Sequence, residues 1–200
     1  NQISQHMTGA YQKMNDYIAF TPYSSLDMVQ SELERLQYST DLRMGLSRTK
    51  RPTRLIDLKT FELRFNEKET VNFIQRGQFI SYLQPIISLN SKKLYGYESL
   101  LRTNDPQINL SPGKLFDVAT KTGLHSLLDQ RAREEAVKAR VGKVPAGTKS
   151  FINFLPSTIY NPDFCLQHTF KIVEKYQVNP ADLVFEVVET EKIQDVNHLK

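Results

Sequence analysis

Cysteine is almost missing from this sequence. Cys165 is the single one in 200 residues. No disulfide can therefore close within the chain, and a reducing, cytoplasmic setting is expected. Long apolar runs are missing as well. None approaches the roughly 20 residues that cross a bilayer. The first residues lack the basic start, apolar stretch and small-residue cleavage site of a signal peptide. No membrane segment is expected in this chain. Charge of one sign is also scarce. A net charge of +4 is too small to argue for DNA or RNA as a partner. His125 and His168 stand without a cysteine or second histidine at ligand spacing, which argues against a zinc centre. Both read as ordinary helix residues, and Cys165, between Phe164 and Leu166, reads as a core thiol.

What remains is an ordinary globular composition, 40% hydrophobic and 24% charged, enough for one sizeable domain and an appendage. Residues 1–66 form the appendage, a mainly helical segment or linker. In "SSLDMVQSELERLQ" the residues Leu26, Val29, Leu33 and Leu36 recur at helical spacing behind a Ser25 cap. The basic stretch "SRTKRPTR", Ser47 to Arg54, reads as a solvated linker. Its other reading, a patch for nucleic acid or anionic lipid, is weakened because no aromatic is interleaved.

From residue 67 helix and strand alternate. "EKETVNFIQRG" is a helix closed by Gly77. "QFISYLQPIISL" and "KLYGYESLLRT" are strands, and "NSKK" between them has the length of a hairpin turn, so this pair should be antiparallel. "SPGKLFDVATKTG" opens with Ser111 as cap and Pro112 at the first helical position. A long helix, "LHSLLDQRAREEAVKARV", should set Glu134, Glu135 and Lys138 on a solvated face as mutual ion pairs. Then come strand "KSFINFLP", helix "NPDFCLQHTFKIVEKYQV", strand "DLVFEVVE" and the start of a further helix. This order predicts an α/β fold with mostly parallel strands.

Three polar groups interrupt three apolar strands: Glu98, Asn153 and Glu186. Alternation puts Glu98, Leu100 and Arg102 on one face and Ser99 and Leu101 on the other. A carboxylate on a strand face costs several kcal/mol to bury unless a cation or donor meets it. Such groups on three strands of one α/β unit point to a shared site, and Asn153 and Glu186 stand near the carboxyl ends where such sites lie. Two carboxylates and an amide oxygen suit Mg²⁺ or Mn²⁺, not zinc. Arg102 beside them fits a phosphate ester.

These residues carry a resemblance. "YLQPIISLNSKKLYGYESLLR" resembles the opening of the EAL domain, the cyclic di-GMP phosphodiesterase family, with its Glu-Ala-Leu present as Glu98-Ser99-Leu100. "FINFLPSTIYNP" looks like the family's asparagine strand, and "LVFEVVETE" like its Glu-x-x-Glu strand. The likeness covers about residues 67–200. It implies a modified (β/α)₈ TIM-type barrel whose first strand runs antiparallel. It implies Glu98, Asn153 and Glu186 as metal ligands. Gln84, Leu100 and Arg102 would contact cyclic di-GMP, and Glu189 would brace an active-site loop. Two metal ions would generate a hydroxide that opens the ring to linear pGpG. The resemblance also implies a homodimer through this domain.

The chain begins at Asn1 and ends at Lys200. The family's Asp-Asp-Phe-Gly loop, its lysine and a later glutamate should follow Lys200. From Gln84 onward the chain is under half of the about 250 residues that a full barrel takes. The expectation is a piece holding the first half of the barrel, inactive alone. The alternative reading is a degenerate EAL domain acting as a cyclic di-GMP receptor. Filled ligand positions favour the enzyme.

Overall fold

The structure, a computed structural model, describes residues 11–14, 18–36, 41–49, 54–155 and 162–187. Glu189, the helix expected after residue 190, the Cys165 side chain and residues 50–53 of the basic stretch lie outside what is described. The chain divides into two compact units, Asn1–Lys68 and Glu69–Lys200.

The first unit holds two short antiparallel pairs, β1 (Gln12–Lys13) with β2 (Ala19–Phe20) and β3 (Arg43–Met44) with β4 (Ile56–Asp57). It also holds helices α1 (Leu26–Leu36) and α2 (Leu58–Asn66). Ser25 caps α1 as expected, its Oγ accepting from the Met28 amide at 3.3 Å. Val29, Leu33 and Leu36 are buried against Leu58 and Phe61. Leu26 belongs to the same periodic series but stays 46% exposed. It opens the first turn, outside that buried cluster. The two short strand pairs stand beside the two helices of this segment, which was expected to be mainly helical.

The second unit begins with α3 (Lys68–Arg76). Its last turn is closed by the Gly77 amide, which donates to the Phe73 carbonyl at 2.8 Å. A Cβ at Gly77 would stand 2.6 Å from the Phe73 ring, so only glycine fits there. Strands β5 (Phe79–Ile87) and β6 (Leu94–Thr103) pair antiparallel across a turn in which the Ser88 amide donates to the Lys93 carbonyl at 2.9 Å. Then follow α4 (Pro112–Lys121), α5 (His125–Arg140), β7 (Lys149–Phe154), α6 (Pro162–Lys175), a 3₁₀ turn and β8 (Leu183–Val187). Ser111 caps α4, accepting from the Lys114 amide at 3.2 Å. The sheet runs β5-β6-β7-β8, with β6, β7 and β8 mutually parallel.

The sheet has two unlike faces. On one, Phe79 and Leu101 are buried with Ile74 of α3, Leu115 and Val118 of α4 and Leu128 of α5. Ile152 continues that face, packed with Val137 and Ile172. The opposite face carries Gln84, Glu98, Arg102, Asn153 and Glu186, each exposed or half-buried.

Two buried ion pairs hold β7 at its ends, and sequence reading missed both. Asp129 and Arg133 on α5 pair at 2.9 Å, 2% and 1% exposed. Arg133 also donates to Thr169, and Asp129 accepts from the Leu155 amide at 3.3 Å, just past β7. At the other end, Arg140 donates to the Thr148 carbonyl, to Ser150 and to Asp182, which leads into β8. The expected pairs of Glu134, Glu135 and Lys138 need correction. Lys138 meets Glu135, but Glu134 takes Lys175 of α6 at 2.8 Å. A helix packed alongside offers Glu134 a partner that spacing along α5 alone does not reveal. The Lys175 hydrogen bond holds the Glu134 carboxyl below the usual range.

Candidate functional site

The site grows from strand register. Gln84 lies opposite Glu98, Tyr82 opposite Leu100 and Ile80 opposite Arg102. Residues paired this way share a face. The parallel pairing continues the row, with Glu98 beside Phe151 and Asn153 beside Glu186. The structure thus brings Glu98, Asn153 and Glu186 together from three neighbouring strands. The Asn153 amide nitrogen donates to Glu98 Oε1 at 3.1 Å. Burial, and then the charge of Glu98, pushes the Glu186 carboxyl above its ordinary value.

That donor set fits a hard divalent cation. The Asn153 nitrogen faces Glu98, which leaves its oxygen available to a cation, and a cation between the two carboxylates would offset their mutual repulsion. Among the described residues there is no cluster of three or more His, Cys, Asp or Glu. The trio on offer is two acids and an amide, all oxygen, which suits Mg²⁺ or Mn²⁺ better than zinc.

Of the remaining expected residues, Gln84 pairs with Glu98, and Leu100 and Arg102 follow on the same face of that strand. Gln84 is exposed and Leu100 half-buried. Arg102 donates through Nη1 to the Leu101 carbonyl at 2.7 Å and lies 5.7 Å from the centre of the Tyr82 ring. Among the described residues it has no carboxylate partner. Arg102 and Tyr82 line a cleft of about 460 Å³ with Thr103, Asn109, Ser111 and Pro112. Tyr82, Thr103 and Asn109 were not singled out from sequence. Tyr82 could have been, because it shares parity with Gln84 on one strand. Glu189 lies outside the described residues.

The sheet is mixed, with an antiparallel entry strand and oxygen-bearing side chains on its parallel strands. The chain belongs to the EAL domain family, whose profile matches residues 67–200. It is 30% identical over 126 residues to the probable cyclic di-GMP phosphodiesterase PdeG of Escherichia coli, covering 60% of this chain and 24% of that protein. It is 24% identical over 194 residues to the signaling protein YkoW of Bacillus subtilis, covering 92% of this chain and 23% of YkoW. The chain therefore spans about a quarter of the length of these relatives. A standalone EAL protein of Vibrio cholerae, solved with cyclic di-GMP bound, matches at 32% identity and a TM-score of 0.50, over 62% of this chain and 50% of that one. The Xanthomonas citri FimX EAL domain, solved with the same nucleotide, matches in fold, with TM-score 0.54 at 18% identity over 70% and 53% of the two chains. These neighbours imply a TIM-barrel-like α/β fold.

Proposed function

We propose that the protein carrying this chain hydrolyses cyclic di-GMP to linear pGpG in a Mg²⁺- or Mn²⁺-dependent reaction. Residues 67–200 carry the described part of the site, and the sheet β5–β8 forms one side of a modified (β/α)₈ barrel. The observation that carries this reading is the meeting of Glu98, Asn153 and Glu186 on one sheet face, joined by the Asn153–Glu98 hydrogen bond.

Each residue has a role in that reading. Glu98, Asn153 and Glu186 would hold the cation. A divalent ion bound there lowers the pKa of water and offsets phosphate charge. Asn153 keeps the Glu98 carboxylate oriented through its amide nitrogen. Arg102, with guanidinium donors beyond the one given to Leu101, receives a phosphate oxygen. Gln84, opposite Glu98, and Leu100 complete the nucleotide contacts. Glu189 would brace a loop supplied by a later strand.

The test is chromatography of cyclic di-GMP incubated with the full-length protein and Mn²⁺. Conversion to pGpG supports the enzyme. Tight binding with no conversion would instead mark the receptor reading.

A further inference from the structure

The cleft lined by Arg102, on the strand that carries Glu98, contains a contact that this reading does not use. Tyr82 is 59% exposed, although it is a large aromatic on a central stretch of β5. A ring so exposed gains little from burial and keeps its face open to neighbouring side chains. Its register partner is Leu100, and its diagonal neighbour across the ladder is Arg102. The Arg102 guanidinium lies 5.7 Å from the ring centre. That is within the range at which the negative face of an aromatic attracts a cation.

Arg102 needs such a hold. Its chain is long and has many rotamers, and among the described residues it has no carboxylate partner. A hydrogen bond from Nη1 to the Leu101 carbonyl fixes one edge of the guanidinium. The Tyr82 ring fixes a second direction. Both side chains border the same cleft of about 460 Å³, so an arginine held there presents its free donors to the cavity.

We propose that Tyr82 is a positioning residue for Arg102. Its ring pre-orders the guanidinium for an anionic phosphate before the nucleotide arrives. This rests on the reading of Arg102 as a phosphate contact. The cost of ordering a long side chain at the moment of binding is thereby reduced. The ring's work needs its face, not its hydroxyl, so phenylalanine should replace it.

The experiment is a double-mutant cycle read by calorimetric titration of cyclic di-GMP into the full-length protein. Tyr82→Leu should weaken binding about three- to fivefold, the range for a cation–π contact at an exposed position. Tyr82→Phe should bind within about twofold of wild type. In an Arg102→Ala background, Tyr82→Leu should have no further effect, since no guanidinium remains to be positioned. Melting temperatures of the two Tyr82 variants should agree with wild type, and that of the double variant with Arg102→Ala, because an exposed ring contributes little to folding. Tyr82→Leu that binds like wild type overturns the inference. So does a loss that persists in the Arg102→Ala background, which would mean that Tyr82 touches the nucleotide itself. Failure of wild type to bind, or an Arg102→Ala protein that binds normally, overturns the functional reading of Arg102, and this inference with it. In the first two results Arg102 still matters, so the two failures are separable.

Discussion

Lys92 sits in the β5–β6 turn at φ 53°, in the left-handed region. A side chain there crowds the following carbonyl, which costs roughly 1–2 kcal/mol, while glycine occupies the region freely at a smaller entropic cost. Lys92→Gly should therefore raise stability by about 0.5–1 kcal/mol, read as a higher urea midpoint at unchanged slope. A lower midpoint would mean that the turn differs from the one described. His168 offers a pH test. Its Nδ1 is buried and has no hydrogen-bond partner among the described residues. Burial and then the Arg133 charge lower its pKa, and Lys171 and Lys175 on its own helix add to this while Glu134 opposes it. As pH falls through about 6.5, the unfolded chain takes up a proton that the folded protein refuses. The stability is thus present above that pH and lost below it, down to the lower folded value. His168→Gln should flatten this part of the melting-temperature profile between about pH 7.5 and about pH 5.5. An unchanged slope would remove His168 as the cause.

At the scale of elements, the ion pair Asp129–Arg133 ties α5 to the end of β7, two residues past Asn153. Asp129→Ala leaves the buried Arg133 uncompensated and should cost about 3–5 kcal/mol, measured by chemical denaturation. Loss of under about 1 kcal/mol would show that Arg133 finds water instead. The elements themselves were largely legible. Ser111 and Pro112 announced α4, and "NSKK" announced the hairpin, because caps and turns act through neighbours in sequence. Glu98, Asn153 and Glu186 were legible as polar breaks in apolar strands. Asp129 and Arg133 were not, since their i,i+4 spacing looks like any solvated helix pair until Thr169 and Leu155 close over it. Glu134 was misread for the same reason, its partner arriving from α6. Helix α2 lies within the segment expected to be mainly helical, but its bounds were not read, and a single residue, Glu67, separates it from α3. Leu58 and Phe61, which bury it, meet α1 only in three dimensions.

At the scale of the molecule, the open face of the sheet holds the proposed site, and the chain covers half of the Vibrio cholerae EAL protein that it matches. We propose that the further site groups implied by the family resemblance lie outside residues 1–200. We therefore expect residues 1–200 produced alone to show no hydrolysis of cyclic di-GMP even with Mn²⁺, as followed by chromatography. Turnover by that piece would mean that the trio and its neighbours suffice.

Whether Glu98, Asn153 and Glu186 hold a catalytic cation is decided by one assay in three arms. Full-length protein is assayed for pGpG release with Mn²⁺, with excess EDTA, and as Glu98→Gln with Mn²⁺. The account predicts turnover in the first case and none in the other two, with the Glu98→Gln protein folded, because glutamine keeps the shape and removes a charged ligand. Full activity in EDTA, or an active Glu98→Gln protein, would contradict it.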